Sequence, residues 1–410
     1  MNVTNARVVV MGLGRFGGGL GVTRYLLSQG AHVLLTDMQD ESALATPLSQ
    51  LGDHKNLTLS LGRHRVADFE QADVVVANPA VKKPWENRYL RAAWDSNTHV
   101  TTEIQLVVEQ LDRKNVIGVT GSAGKSTTAS MLYAALQRGG VPSVLGGNIG
   151  GSLLQTVSEM QEGTIVILEL SSAMLWWLGH ADGICWSPHI AVLTNISPNH
   201  LDWHTTMESY VECKKNIFKF QTKGDVAIRG EALRPSSRTL SVLGSHNLRN
   251  AEMALKAAVE IGCDPELAKE GIEQFRGLPH RLERMSDSIV NDSKSTTPEA
   301  TALAVDSFEN PSRVHLIVGG YNKNIDLQSL SAQADRVAYL YAIGETADTI
   351  VSNVRSGNSM NCGTLEVAVS KAKKQMREGD VLLLSPGCAS LDQFDHYEHR
   401  GETFCKLTGC

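Results

Sequence analysis

Residues Val119 to Thr128, VTGSAGKSTT, end a β-branched run, NVIGVTG, and open a helical one, STTASMLYAAL. In that setting Gly121, Ser122, Ala123, Gly124, Lys125, Ser126 and Thr127 form a phosphate cradle. Successive backbone N–H groups can wrap a triphosphate, the Lys125 ammonium can meet the β- and γ-phosphates, and the Ser126 hydroxyl is a hard oxygen donor for Mg²⁺. ATP with magnesium is the ligand such chemistry selects. The strict phosphate-loop spacing wants glycine at 119, where valine stands. A chance Gly-Lys-Ser run is the competing reading, and the strand–turn–helix context argues against it. A second glycine-rich turn, GLGRFGGG, occupies 12–19. Gly12, Gly14 and Gly17 follow the apolar run ARVVVMG, and Asp37 closes the next such run twenty positions after Gly17. Glycines permit a tight turn and close backbone approach, a helix N-terminus offers N–H groups to a diphosphate, and an acidic residue can accept from a ribose or base. A plain strand-to-helix turn remains the alternative there.

Short runs such as HVLLTD, ADVVVAN, TIVILELS, IAVLTNI, VHLIVGG and DVLLLSPG alternate with amphipathic stretches. Continuous apolar strands between helices indicate an α/β protein with sheets covered on both faces. Two joints suggest themselves, at 101–115 and at FRGLPHRLE, 275–283, where Gly277 and Pro279 interrupt a helix. The expected architecture has three domains: a Rossmann-like domain over 1–103, a central P-loop ATPase-like domain with a mixed sheet over 104–277, and a second Rossmann-like domain over 278–410.

With 42% apolar and 20% charged residues and a net charge of −6, the 410-residue chain has an overall field that repels nucleic acid. The seven cysteines are scattered without a C-x-x-C pair, which suggests neither a disulfide framework nor a zinc site. No run reaches 18 apolar residues and the N-terminus lacks a basic-then-apolar leader, so a cytoplasmic protein without membrane insertion is expected.

The spacing T-G-x-x-G-K-S-T resembles that of ATP-dependent amide-bond ligases of the Mur and folylpolyglutamate synthetase type. GGNIG (146–150), LELSS (168–172), NISPNHLDWH (195–204), YVECKKNIF (210–218), LGSHNLRNA (243–251), GLPHRLE (277–283), NDSKSTTP (291–298), GGYNKNID (319–326) and LLLSPGCASLDQFDHYEHRG (382–401) follow in the family's order. The last is similar to the branch that adds D-glutamate to UDP-N-acetylmuramoyl-L-alanine through an acyl phosphate. The resemblance implies catalytic roles for Lys125, Glu169, His200 and Lys214. It implies two Mg²⁺ ions on Ser126, Glu169, His200 and Lys214, the lysine as a CO₂-derived carbamate. Asn250, Arg281 and Asp292 would complete the ATP site; Gly14, Arg15, Phe16, Asp37, Asn148 and His200 would hold the UDP-sugar; and Thr296, Lys323, Ser390, Leu391 and Tyr397 would hold D-glutamate. A monomer is expected. The first turn would then hold UDP and the second ATP.

Several positions depart from the family pattern. ANPAV (77–81) replaces S-P-G-I, Tyr397 stands where phenylalanine is usual, and the phenylalanine-glutamine pair after Glu169 is replaced by a segment whose Trp176 and Trp177 suit core packing. The stretch between GDVAIRG and LGSHN is short, which predicts a trimmed edge of the central sheet. The alternatives are a ligase of the same mechanism with another amino acid, a non-catalytic nucleotide sensor, and a dinucleotide-dependent oxidoreductase.

Overall fold

The computed structural model describes residues 1–13, 18–180, 184–197, 201–234, 240–242, 244, 246–322 and 326–410, with backbone alone at 201 and 202. The chain divides into two compact units, Met1–Arg234 with Asn250–Ile272, and Pro235–Arg249 with Glu273–Cys410.

The first unit holds two sheets. In the first, β1 (Arg7–Met11), β2 (His32–Asp37), β3 (Leu57–Leu61), β4 (Val74–Ala77) and β5 (His99–Thr102) lie in the order β3-β2-β1-β4-β5, all parallel. Alternate residues face opposite sides of a strand, and both sides are covered. Val8, Val10, Val33 and Leu35 belong to one core cluster with Leu20 and Leu26 of the helix Gly18–Ser28. Val9, Met11 and Val75 pack with Phe69, Tyr89 and Leu90 in another. The strand order reverses at β1, and ligands of open parallel sheets bind in the crevice such a reversal creates. The first glycine turn leaves β1 at that point.

The central sheet comprises β6 (Val116–Thr120), β7 (Ser143–Gly147), β8 (Ile165–Glu169), β9 (Ile190–Leu193) and β10 (Val226–Arg229), ordered β10-β9-β6-β8-β7. All four of its pairings are parallel, which corrects the expected mixed sheet. Each successive strand is reached through a helical crossover, such as Lys125–Arg138 between β6 and β7, and a crossover returns the chain in the same direction. The whole of β6 is buried in the middle, and the phosphate cradle leaves its carboxyl end.

In the second unit, β11 (Glu283–Ser286), β12 (Ile289–Asn291), β13 (Val314–Gly319), β14 (Tyr339–Ile343), β15 (Ser359–Gly363) and β16 (Val381–Leu384) lie in the order β11-β12-β16-β13-β14-β15. Among the described residues, only β11 of this sheet runs antiparallel to its neighbour. Among the described residues, no helix is long and apolar enough to cross a membrane.

Candidate active site

Glycine is required at two points of the second cradle. Gly121 has φ +151° and a Cβ there would lie 1.8 Å from Thr194 Oγ1; Gly124 has φ +80° and a Cβ there would lie 2.6 Å from Asn250 Oδ1. The cradle is stitched to the segment after β9. Asn195 Oδ1 accepts from Ala123 N at 3.0 Å while its Nδ2 donates to Ala123 O at 3.0 Å. Ser122 Oγ donates to Ser197 O at 2.9 Å and lies 2.8 Å from the Tyr210 hydroxyl. Lys125 Nζ donates to Ser122 O at 3.2 Å, folding the ammonium back over its own loop. Asn250, carried by the helix His246–Glu260, is set directly against Gly124.

Glu169 ends β8 at 1% exposure. Asn148 Nδ2 donates to its Oε1 at 2.8 Å, and Oε2 is buried with no hydrogen-bond partner. A buried carboxylate oxygen left in that state is costly, and a cation is the complement that would satisfy it. Lys214, also 1% exposed, donates through Nζ to Thr120 Oγ1 at 3.4 Å and lies 4.9 Å from the centre of the Tyr210 ring. Burial, and then the Lys125 charge, pull its pKa down to about 7. A neutral amine is therefore available near pH 7, which is the state that can capture CO₂. The oxygen donors of Ser126 and Glu169 suit Mg²⁺, and a carbamate on Lys214 would offer oxygen ligands to a second ion.

At the first turn, Asp37 anchors the backbone. Its Oδ2 accepts from Leu13 N and its Oδ1 from Gln39 N, both at 2.9 Å. Gly12 has φ +92° and passes close to Asn78, whose Oδ1 accepts from Ala80 N at 2.9 Å. One cavity of about 700 Å³ joins the two cradles, lined by Gly12, Gly18 and Asn78 from the first, by Lys125 and Lys214 from the second, and by Asn148 and Glu103.

The second unit gathers its own residues at the carboxyl ends of β12, β13 and β16. Asp292 accepts from Leu282 N at 3.0 Å and from Ser385 Oγ at 2.7 Å, and burial raises its pKa to about 6 although Arg281 opposes the shift. Ser390 is buried and Leu391 exposed. The Tyr397 ring lies 5.4 Å from Lys294 Nζ, and burial followed by its bond to Glu398 pushes its pKa up to about 12. His280 is a neighbour held in place, its Nδ1 3.0 Å from Asn291 Nδ2. Arg400 is fully buried and binds Ser293 Oγ and O and the carbonyls of Cys388 and Ala389 at 2.9 to 3.3 Å. It ties the segment leading to Thr296 to the one leading to Ser390.

Of the residues singled out by sequence, Lys125, Glu169, Lys214, Asn148 and Asn250 converge in the first unit, with Asp37 behind the first turn. Arg281, Asp292 and Tyr397 converge in the second unit. Gly14, Arg15, Phe16, His200 and Lys323 lie outside the described residues. Sequence reasoning passed over Glu103, Ser172, His204 and Arg400. Ser172 and His204 line the cavity, with His204 Nε2 2.8 Å from Ser172 Oγ. Both stand inside motifs already noted, LELSS and HLDWH, which was the available signal. Trp177 is core, as its bulk suggests.

Comparison with known proteins matches three segments of the chain. Residues 6–102 match the Mur ligase MurD-like N-terminal domain, 119–232 the Mur ligase middle domain, and 280–388 the Mur ligase glutamate ligase domain. The chain is 32% identical to the UDP-N-acetylmuramoylalanine–D-glutamate ligase of Koribacter versatilis, covering 99% of this chain and 98% of that one. It is 34% identical to the ligase of the same name from Roseiflexus sp., covering 99% of both. The first alignment runs over 456 positions, so that relative has residues with no counterpart among these 410. The crystal structure of a UDP-N-acetylmuramate-alanine ligase from Thermotoga maritima superimposes with a TM-score of 0.54 at 16% identity, covering 98% of this chain and 99% of that one, a likeness of fold.

Proposed function

We propose, for a chain that belongs to the Mur ligase family, that it joins D-glutamate to UDP-N-acetylmuramoyl-L-alanine at the expense of ATP, as its full-length relatives are named for doing. Amide formation from a free carboxylate fails in water because the oxyanion is a poor electrophile and its oxygen a poor leaving group. Transfer of the γ-phosphoryl group to a carboxylate oxygen, with release of ADP, removes both obstacles. The amine of D-glutamate then attacks the acyl carbon, phosphate departs with the carbon–oxygen bond, and the nitrogen gives up a proton to form the amide.

The observation that carries this reading is the shared cavity. A sugar nucleotide whose diphosphate rests on the turn after β1 can extend its alanyl carboxylate toward Lys125 and Lys214, because one space is lined by all of them. Lys125 offsets the charge of the phosphate being transferred. Ser126 and Glu169 would hold a Mg²⁺ ion, whose charge would let two anions approach, and Lys214 as a carbamate would hold a second, for which the resemblance also names His200, outside the described residues. By the family resemblance Arg281 and Asp292 would serve the nucleotide and Thr296, Ser390, Leu391 and Tyr397 D-glutamate, while Lys323, assigned with them, lies outside the described residues. The substrates are soluble anions, which suits an enzyme of the cytoplasm.

The test is phosphate release from ATP with UDP-N-acetylmuramoyl-L-alanine and amino acids supplied singly. D-Glutamate should support turnover and L-glutamate should not; equal or better turnover with another amino acid would reject the assignment. Lys214→Ala should abolish turnover, with partial recovery in short carboxylate salts. Full activity of that variant would remove the carbamate from the mechanism.

A further inference from the structure

The loop between β7 and the helix Leu154–Val157 carries Asn148, the partner of Glu169, and is held at its far end by residues of the nucleotide-sugar half of the cavity. Glu103, first residue of the helix Glu103–Val108 after β5, accepts from the Ser152 side chain and from Leu153 N. On the other side of Ser152 stands Gly21 of the helix Gly18–Ser28, where a Cβ would lie 2.5 Å from Ser152 Cβ. Two glycines of the loop are closely approached, while Gly151 stands in open space. Gly147 has φ +91° and its Cβ would fall 2.4 Å from Glu169 O, and a Cβ on Gly150 would fall 2.8 Å from Leu145 O. Asn148 N donates to Glu169 O at 2.8 Å and Asn148 Nδ2 donates to Glu169 Oε1 at 2.8 Å. Ile149, Gly150 and Gly151 are all that separate Ser152 from Asn148, so the backbone linking Ser152 to the partner of Glu169 is short.

We infer that Glu103 is a positioning residue for the metal-binding carboxylate. Together with Gly21 it clamps Ser152, and through the 147–152 loop and Asn148 it fixes how Glu169 presents its second oxygen. The inference rests on the proposed function only in taking Glu169 as a magnesium ligand. An ordinary ion-pair or capping role for Glu103 would leave Glu169 indifferent to its removal. Glu103 also lines the cavity, so the half that receives the sugar nucleotide helps set the geometry of the half that receives metal.

The experiment is Mn²⁺ binding to the full chain with ADP present, read by the electron paramagnetic resonance of free Mn²⁺, so that neither amino acid nor turnover is involved. Glu103→Ala should weaken Mn²⁺ binding about tenfold, the scale on which residues supporting a metal ligand act. Glu103→Gln, which keeps an oxygen to accept from Ser152 and Leu153, should recover most of the loss. Gly21→Ala approaches Ser152 from the opposite side and should weaken binding in the same sense, and it carries the test if Glu103→Ala fails to fold. Metal-free ADP binding should change less than twofold in each. Mn²⁺ dissociation constants within twofold of wild type in Glu103→Ala and Gly21→Ala would overturn the inference. A chain that proved to use another amino acid would give the same Mn²⁺ result, so the two failures are distinguishable.

Discussion

Replacing Lys214 by methionine should make the protein more stable and inactive. The amine is 1% exposed, and its pKa falls from the ordinary 10.5 to about 7 because burial and then Lys125 disfavour the charge, with Glu169 pulling the other way. A lysine with a folded pKa below its unfolded one binds fewer protons folded than unfolded. It therefore destabilises, fully at and below pH 7, and the penalty fades as pH rises toward 10.5. At about 1.4 kcal/mol per pH unit the whole interval is worth about 5 kcal/mol, and relaxation around the group reduces this to about 2–4 kcal/mol. Methionine fills a similar unbranched volume and forfeits only a 3.4 Å bond to Thr120 and the contact with the Tyr210 ring. The assay is urea unfolding at pH 7 and pH 10 in chelator-containing buffer purged of CO₂. Tryptophan fluorescence serves as the probe, because all six tryptophans lie between 85 and 203 and report on the first unit alone. The variant should exceed wild type by about 2–4 kcal/mol at pH 7 and by less than about 1 kcal/mol at pH 10. A variant no more stable than wild type at pH 7, or a gap independent of pH, would refute the account of Lys214 as a strained neutral amine.

Gly124→Ala forces a side chain onto a left-handed backbone at φ +80° and against Asn250 Oδ1, so ATP affinity measured by calorimetry should fall about tenfold or more while sugar-nucleotide affinity stays within twofold. Arg400→Met removes the buried guanidinium that donates to the carbonyls of Ser293 and Cys388 and should destabilise the second unit by about 3–5 kcal/mol. Hydrogen exchange should show lost protection around 291–297 and 385–397, with the central sheet unaffected.

What could be read from sequence was the chemistry written into contiguous residues. Both cradles are short strings, and in the second Gly121 and Gly124 show why glycine is needed, as positive φ and absent room for a Cβ. Glu169 was legible because a carboxylate closing an apolar strand has few bland explanations. Strand direction was not legible, since whether a crossover returns parallel depends on where it lands, and the central sheet turned out wholly parallel. Arg400 sits in the charged run HYEHRGE, which looks solvated, yet it is fully buried on carbonyl acceptors from two distant loops. Glu103 begins a helix, where an acid ordinarily answers the backbone dipole, and its bonds to Ser152 and Leu153 exist only because the tertiary fold brings that loop alongside.

The residues that sequence missed and those it found differ in what they do to the free protein. Glu103 and Arg400 each have hydrogen-bond partners that offset the burial of their charges. In Glu169 and Lys214 the offset is incomplete, for one carboxylate oxygen is buried without a partner and the amine is held where its charge is disfavoured. Groups in that condition lower stability and persist where a ligand relieves them. A dication would meet the orphaned oxygen, and conversion of the neutral amine to a carbamate would turn the second liability into an oxygen ligand for another ion. Nucleotide with Mg²⁺ and CO₂ should therefore stabilise wild type at pH 7 more than it stabilises Lys214→Met. Equal thermal shifts in the two proteins would separate the amine from the metal site and leave its burial unexplained.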